Sequence, residues 1–432
     1  MLRTIFDPIA QTASRVTDLR FWQSFLSKLR GRDIHAPPWK FSDEPGKRIA
    51  VREAPPSAPM ILPLLYGRDE FPAADGKLPE HHEPKALELT EYRDVALIQN
   101  NIVLNATNSH LIPPTFSRNR RKFHDGVRYL PEEKVYVTRY PVDVENCLRV
   151  DSPVYYTDTE APSVYGHVLI ETMTRLWALH EVPKDVPIVT SVMPSRTLGR
   201  MLSCLGVSLD RVLHIDRPII ARSGLFPTMA VARRDWVHPA AWEIFHRLKT
   251  LALSSDISSP ERIFISRSRV LGRDLLNQGE VETYFKSQGF VVVHPQDLPI
   301  EDQVKLFSSA KLVAGVAGSA MLNCVFADSA RILMLCSEGW LTNSHTLLSQ
   351  KPGRLGYVFG KPVDALEKGH RTTSPWRIHM NDVVNAAERH LGLREGSIHS
   401  VRYRTATARG DGNELPPLSI TSTPSWSYTD KD

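Results

Sequence analysis

His167 and Glu171 stand four residues apart in the amphipathic stretch from Tyr165 to Leu179. A helix there puts both on one face near its N-terminal end. An imidazole and a carboxylate so placed can take a proton from a hydroxyl, the work of a general base. Two other uses of the spacing stay open. Glu171 can pair with Arg175 while His167 sits at the helix end, or the two can bind a metal, for which no third ligand at plausible spacing stands out. A second group lies further on, where Lys311-Leu312-Val313 leads into Ala314-Gly315-Val316-Ala317-Gly318-Ser319-Ala320-Met321-Leu322-Asn323. It reads as a buried strand, a glycine turn and the first turn of a helix with Ser319 near the N-cap. The unpaired amides and positive dipole of such a junction suit a phosphate or diphosphate; close packing of helix on strand is the structural alternative for its glycines.

The elements that would hold these groups follow from the pattern around them. Arg262-Ile263-Phe264-Ile265 is an apolar strand ending in Ser266-Arg267, with Arg269, Arg273 and Asn277 after it. Val281, Tyr284 and Phe285 recur at helical spacing until Gly289 stops the helix. Phe290 to Val293 reads as a strand, Glu301 to Ala310 as a helix, and Leu312 to Ala314 and Arg331 to Leu335 as two further strands. Strands alternating with helices of this length predict a parallel sheet with right-handed crossovers. Ligands of such sheets sit beyond the carboxyl ends of the strands, so Arg267 and Gly315 should face one crevice. Cationic side chains and a helix N-terminus in one crevice favour an anionic ligand.

Taken together, Arg262-Ile263-Phe264-Ile265-Ser266-Arg267, Arg273, Asn277, Glu280-Val281, Gly289-Phe290, Pro295, Asp302-Gln303, Gly315, Gly318-Ser319-Ala320 and Asn323 resemble the signature half of glycosyltransferase family 61. Tyr165-Gly166-His167-Val168-Leu169-Ile170-Glu171, continuing to Arg175-Leu176-Trp177, resembles its other landmark. The similarity covers about residues 90 to 390, with Ala317 standing where many members carry a histidine. The resemblance implies two facing Rossmann-like domains of the GT-B type, with the active site in the interdomain cleft. It also implies an inverting transferase that uses a nucleotide diphosphate sugar such as a UDP-sugar. Inversion needs one base to deprotonate the acceptor hydroxyl while the leaving diphosphate is stabilised from the other side. We expect His167 to be that base, with Glu171 orienting it or binding the acceptor, because an imidazole titrates nearest the working pH; Glu171 as the base is the alternative. Donor binding is expected from Arg267, Arg273, Asn277, Gly315, Gly318, Ser319 and Asn323. No cofactor is called for; basic side chains and a helix dipole can replace a divalent ion at a diphosphate, and metal dependence is left open.

Composition agrees with an enzyme of this kind. The 432 residues are 42% hydrophobic, enough for two ordinary cores. A net charge of +5, from 53 basic and 48 acidic residues, has no concentrated basic run and argues against a nucleic-acid partner. Cys147, Cys204, Cys324 and Cys336 are widely spaced and read as reduced thiols. Without a secretory h-region or a long apolar run, a cytoplasmic chain is expected. Its acceptor would be a growing glycan or a lipid-linked oligosaccharide. Residues 12–30 carry an amphipathic, basic helical pattern that could rest on the inner face of the membrane or pack on the protein itself.

The organisation expected is an N-terminal helix and proline-rich arm (1–84), an acceptor domain (85–245), a nucleotide-sugar domain (246–395) and a polar tail (396–432). Glu80-His81-His82-Glu83 falls in the arm and reads as a solvated polar run. Asp158-Thr159-Glu160 and Asp143-Val144-Glu145 are acid-x-acid triplets, but neither is the Asp-x-Asp of a metal-bridged sugar nucleotide. Trp376 reads as packing at the start of the last strand, and the resemblance implies that the helix from Met380 to His390 crosses back to the first domain. A nucleotide-dependent oxidoreductase is the rival class, without the Gly-x-Gly-x-x-Gly and distant acid it would need; a binding protein that keeps the fold without the chemistry is the other.

Overall fold

A computed structural model describes residues 39–70, 80–116, 124, 126–138, 146–232, 235–339, 343–350, 354–363 and 374–393. Residues 12–30, the Asp143 and Glu145 pair and the tail after Gly396 lie outside the described residues. Two seven-stranded sheets carry the fold. In the first, the order is Lys47–Arg52, Leu87–Ile98, Ile219–Pro227, Leu148–Tyr156, Ile188–Thr190 and Val212–His214, with Ile102–Asn105 also beside Leu87–Ile98. The last four of the main order run parallel, whereas Leu87–Ile98 is antiparallel to all its neighbours. This half is therefore a mixed sheet. Its hairpin turns through Asn100 and Asn101 at φ 62° and 61°, a conformation that asparagine tolerates.

The second sheet has the order Val291–Val293, Arg262–Ile265, Leu312–Val316, Arg331–Ser337 and Leu355–Pro362, all parallel, with the short strand Trp376–Arg377 antiparallel at the end of Leu355–Pro362. Its near-continuous apolar strands are what a sheet covered on both faces requires. The strand after Arg262–Ile265 lies to one side of it and the next to the other. That reversal makes a switch point, where open α/β sheets bind ligands. Helices Gln278–Ser287 and Ile300–Ser309 make the two crossovers.

The proline-rich arm clips onto both sheets. Lys47–Arg52 pairs with Leu87–Ile98, and Leu64–Tyr66 pairs in parallel with Leu355–Pro362. Prolines bar the arm from helix but leave extended stretches between them able to pair. Gln350 fixes it again, donating to Ile61 O and accepting from Ile61 N at 2.9 Å. The helix Met380–Leu391 does not cross back as expected. It packs on Arg331–Ser337 and Leu355–Pro362 of the second sheet, with Val383, Ala386, Ala387 and Leu391 buried there. One hydrophobic cluster takes Leu87, Tyr155 and Leu225 from the first sheet and Ile263, Ile265 and Met334 from the second. Both sheets therefore share buried contacts, and all the described residues fall in one compact unit.

Candidate active site

The strand Leu148–Tyr156 runs out into Thr157-Asp158-Thr159-Glu160, all buried, and the chain then enters a helix at Tyr165. That helix is α over Tyr165–His167, widens to a π turn over Val168–Thr172 and tightens to 3₁₀ over Met173–Glu181. Such π insertions often mark functional sites because they redirect one side chain without ending the helix. Here the redirected turn holds Glu171. Its carboxylate lies 3.0 Å from His167 Nδ1 and accepts the Thr159 hydroxyl on its other oxygen at 2.5 Å. Glu171 is 3% exposed and the His167 side chain 13%. The buried carboxylate lies in ion-pair contact with Nδ1 and is tied to Thr159 on its other oxygen, so it restrains the ring and leaves Nε2 as the nitrogen turned away from it.

Beneath this pair lies a buried polar network. Arg175 donates to Asp158 O, Pro227 O and Asn101 Oδ1. Asp158 accepts from Asn101 N, Ser191 N and the Ser191 hydroxyl. Burial pushes the Asp158 carboxyl up, while those hydrogen bonds pull the other way. The pairing of Glu171 with Arg175 read from the sequence is thus a background attraction that raises the Arg175 pKa against burial, and the close partner of Glu171 is His167.

The second group stands at the switch point. Gly318 precedes the 3₁₀ helix Ser319–Phe326, so Ser319 is its first residue and not its cap. The helix is apolar nearly all round and buried from Met321 onward, leaving Ser319 and Ala320 half-exposed. Their amides belong to the first turn, which has no intrahelical acceptor. Arg267, at the end of the adjacent strand, lies over the glycine: a Cβ on Gly318 would come within 2.6 Å of Arg267 Nη1. Arg273 is held at φ 57° in a loop tied down by Trp376, whose Nε1 donates to Arg273 O. Burial lowers the pKa of Arg267. Burial, and then the Arg267 charge, bring Arg273 down to about 10. Two partly desolvated guanidinium groups thus share one corner of the fold, with the Asp274 carboxylate acting on Arg267.

The two groups meet. A Cβ on Gly166 would stand 2.7 Å from Leu322 Cδ1 and 3.0 Å from Ser319 Cβ, so a side chain there would push the His167 helix and the glycine loop apart or force Leu322 to move. One residue earlier, the Tyr165 hydroxyl donates to Asn323 Oδ1 at 2.5 Å, and Asn323 Nδ2 donates to Gln303 at 3.0 Å. This junction begins and closes within one stretch of sequence: residues 165–334 match glycosyltransferase family 61. This region belongs to glycosyltransferase family 61. No curated protein matches the chain.

Within the family 61 region, Arg267, Arg273, Gly318 and Ser319 come together, with His167 and Glu171 on the helix that abuts them. Three expected donor contacts take other work. Asn277 is buried with both side-chain groups bonded to the Ile378 backbone, which stitches the Trp376–Arg377 strand in place. A Cβ on Gly315 would meet Ile265 O at 2.8 Å and Met321 Sδ at 2.8 Å, so that glycine serves strand packing. Asn323 is fully buried between Tyr165 and Gln303. Sequence reasoning quoted Thr159 and Gln303 only as members of longer motifs, with no role of their own, and passed over His345, which lies against the Gly318 carbonyl. The run at Glu80 to Glu83 is also structural, since His82 Nε2 accepts from Val237 N. Among the described residues no three His, Cys, Asp or Glu side chains converge as a metal site needs, and no helix is long and apolar enough to cross a membrane. A groove of about 300 Å³, lined by neither Arg267 nor Arg273, follows the edge strand Val291–Val293 and reaches His294, Arg269 and Asp297.

Proposed function

We propose that the protein is an inverting glycosyltransferase that moves a sugar from a nucleoside diphosphate donor, a UDP-sugar, to a hydroxyl of a glycan or lipid-linked oligosaccharide. The observation that supports this reading is the close approach of Gly166 to Ser319, which sets the helix carrying His167 and Glu171 against the glycine loop over which Arg267 lies. In this reading the diphosphate sits on Arg267, Arg273 and the Ser319 and Ala320 amides, and the nucleoside extends toward the groove beside His294. His167 Nε2 takes the proton of the acceptor hydroxyl as its oxygen attacks the anomeric carbon. The bond to the diphosphate breaks on the opposite face, and its charge passes to the arginines and helix terminus. Glu171, held by Thr159, stabilises the imidazolium that forms.

Release of free UDP from a panel of UDP-sugars, with and without glycan acceptors, tests the reaction. His167→Ala should keep donor affinity and lower turnover about 10²–10⁴-fold, with the acid limb of the pH–rate profile moved or lost. A larger loss in Glu171→Gln than in His167→Ala would transfer the role of base to Glu171. Near-wild-type turnover in both would remove this helix from the chemistry.

A further inference from the structure

The short helix Asn343–Leu347 carries His345 beneath the glycine loop. The ring is 5% exposed, and its Nε2 lies 3.3 Å from Gly318 O. A carbonyl oxygen can only accept, so Nε2 carries the hydrogen and Nδ1 is the bare nitrogen of a neutral imidazole. The same oxygen accepts Met321 N at 3.0 Å. Two donors thus hold the Gly318 carbonyl toward the protein interior. A peptide group is rigid, so fixing this carbonyl also fixes the plane that contains the Ser319 N–H. Protonation would set a third buried cation beside Arg273, and burial, outweighing the pull of the Gly318 carbonyl, holds the His345 pKa down to about 4.

We propose that His345 is a positioning residue for the donor: its imidazole N–H anchors the Gly318 carbonyl and so keeps the first amides of the Ser319–Phe326 helix turned to the diphosphate. The inference rests on the donor reading above and adds a residue some thirty positions beyond the glycine loop, outside the 165–334 family match. It differs from a packing role in one respect. What matters is a hydrogen-bond donor at the Nε2 position, which glutamine reproduces, asparagine reproduces only at the Nδ1 position, and leucine does not reproduce at all.

The test uses the full chain with His345→Leu, His345→Asn and His345→Gln, and UDP and inorganic pyrophosphate as probes in calorimetry. Leucine and asparagine should weaken both probes about five- to tenfold, the cost of one hydrogen bond lost from a binding surface, while glutamine stays within about twofold. With an active donor in hand, the same variants should raise the donor KM by that factor and leave kcat nearly unchanged. Should the leucine variant fail to fold, the asparagine and glutamine pair still decides. Equal affinity in asparagine, glutamine and wild-type proteins overturns the role of His345, as does equal loss in asparagine and glutamine. Wild-type protein that binds neither probe overturns the donor reading, and this one with it.

Discussion

Acid should destabilise this protein through His345 in a window that its burial defines. In the native state the ring stays unprotonated down to about pH 4, against an ordinary value of 6.5. Above 6.5 neither state carries the proton, and below about 4 both do. Between the two, only the unfolded chain takes it up, so stability falls as pH falls through that window. Each pH unit is worth about 1.4 kcal/mol, giving a loss of about 3 kcal/mol over the interval. Burial also lowers the pKa of His82, His110, His294 and His390, and these titrate equally in a His345→Gln variant. The difference between the two proteins therefore isolates one ring. Urea unfolding of both, from neutral pH to about pH 4, should show the wild-type advantage shrinking or inverting by about 3 kcal/mol. A difference that stays constant across this range would refute the assignment of a buried neutral imidazole.

Other perturbations address the site directly. Arg267→Ala should weaken UDP binding by about 1.5–3 kcal/mol, because it removes a charge-assisted contact and leaves the sheet intact; unchanged affinity by calorimetry in the folded variant would sink the assignment. Gly318→Val should displace the Arg267 guanidinium, which stands 2.6 Å from the new Cβ, and abolish UDP binding with little change in melting temperature; a large stability loss would favour a packing role. Tyr165→Phe leaves Asn323 Oδ1 without its hydroxyl donor in a fully buried site. It should cost about 1–3 kcal/mol in denaturant unfolding, and an isostable variant would contradict the bridge.

Most of the second sheet was legible because its strands are short apolar runs bounded by turn residues. Arg262–Ile265, Val291–Val293 and Arg331–Ser337 lie where the pattern puts them, and Gly289 ends its helix with φ 78°. The same reasoning missed Leu64–Tyr66, since a three-residue strand in a proline-rich arm has no period to detect and exists only because an edge of the sheet accepts it. It also read the first half as a plain α/β unit. The antiparallel Leu87–Ile98 strand pairs over most of its length with Ile219–Pro227, more than a hundred residues away, and local propensity cannot report that partner. At the site, residue types were readable and their duties were not. Asn277 and Arg267 both belong to a motif, yet one is buried against a backbone and the other lies over Gly318. His345 was invisible because its significance is a contact with a carbonyl 27 residues upstream.

The chain Tyr165–Asn323–Gln303, together with the close seat of Gly166 on Ser319, limits how this scaffold can be recombined. An engineer who joins the first sheet of this chain to the second sheet of a relative must carry the tyrosine–glycine step and the serine–asparagine step as one matched set. A chimera that mismatches them would bury an orphaned amide or a clashing methyl at the seam. The crossover point that respects this constraint lies in the stretch between helix Ala240–Lys249 and strand Arg262–Ile265, provided that both sides of the seam come from compatible parents.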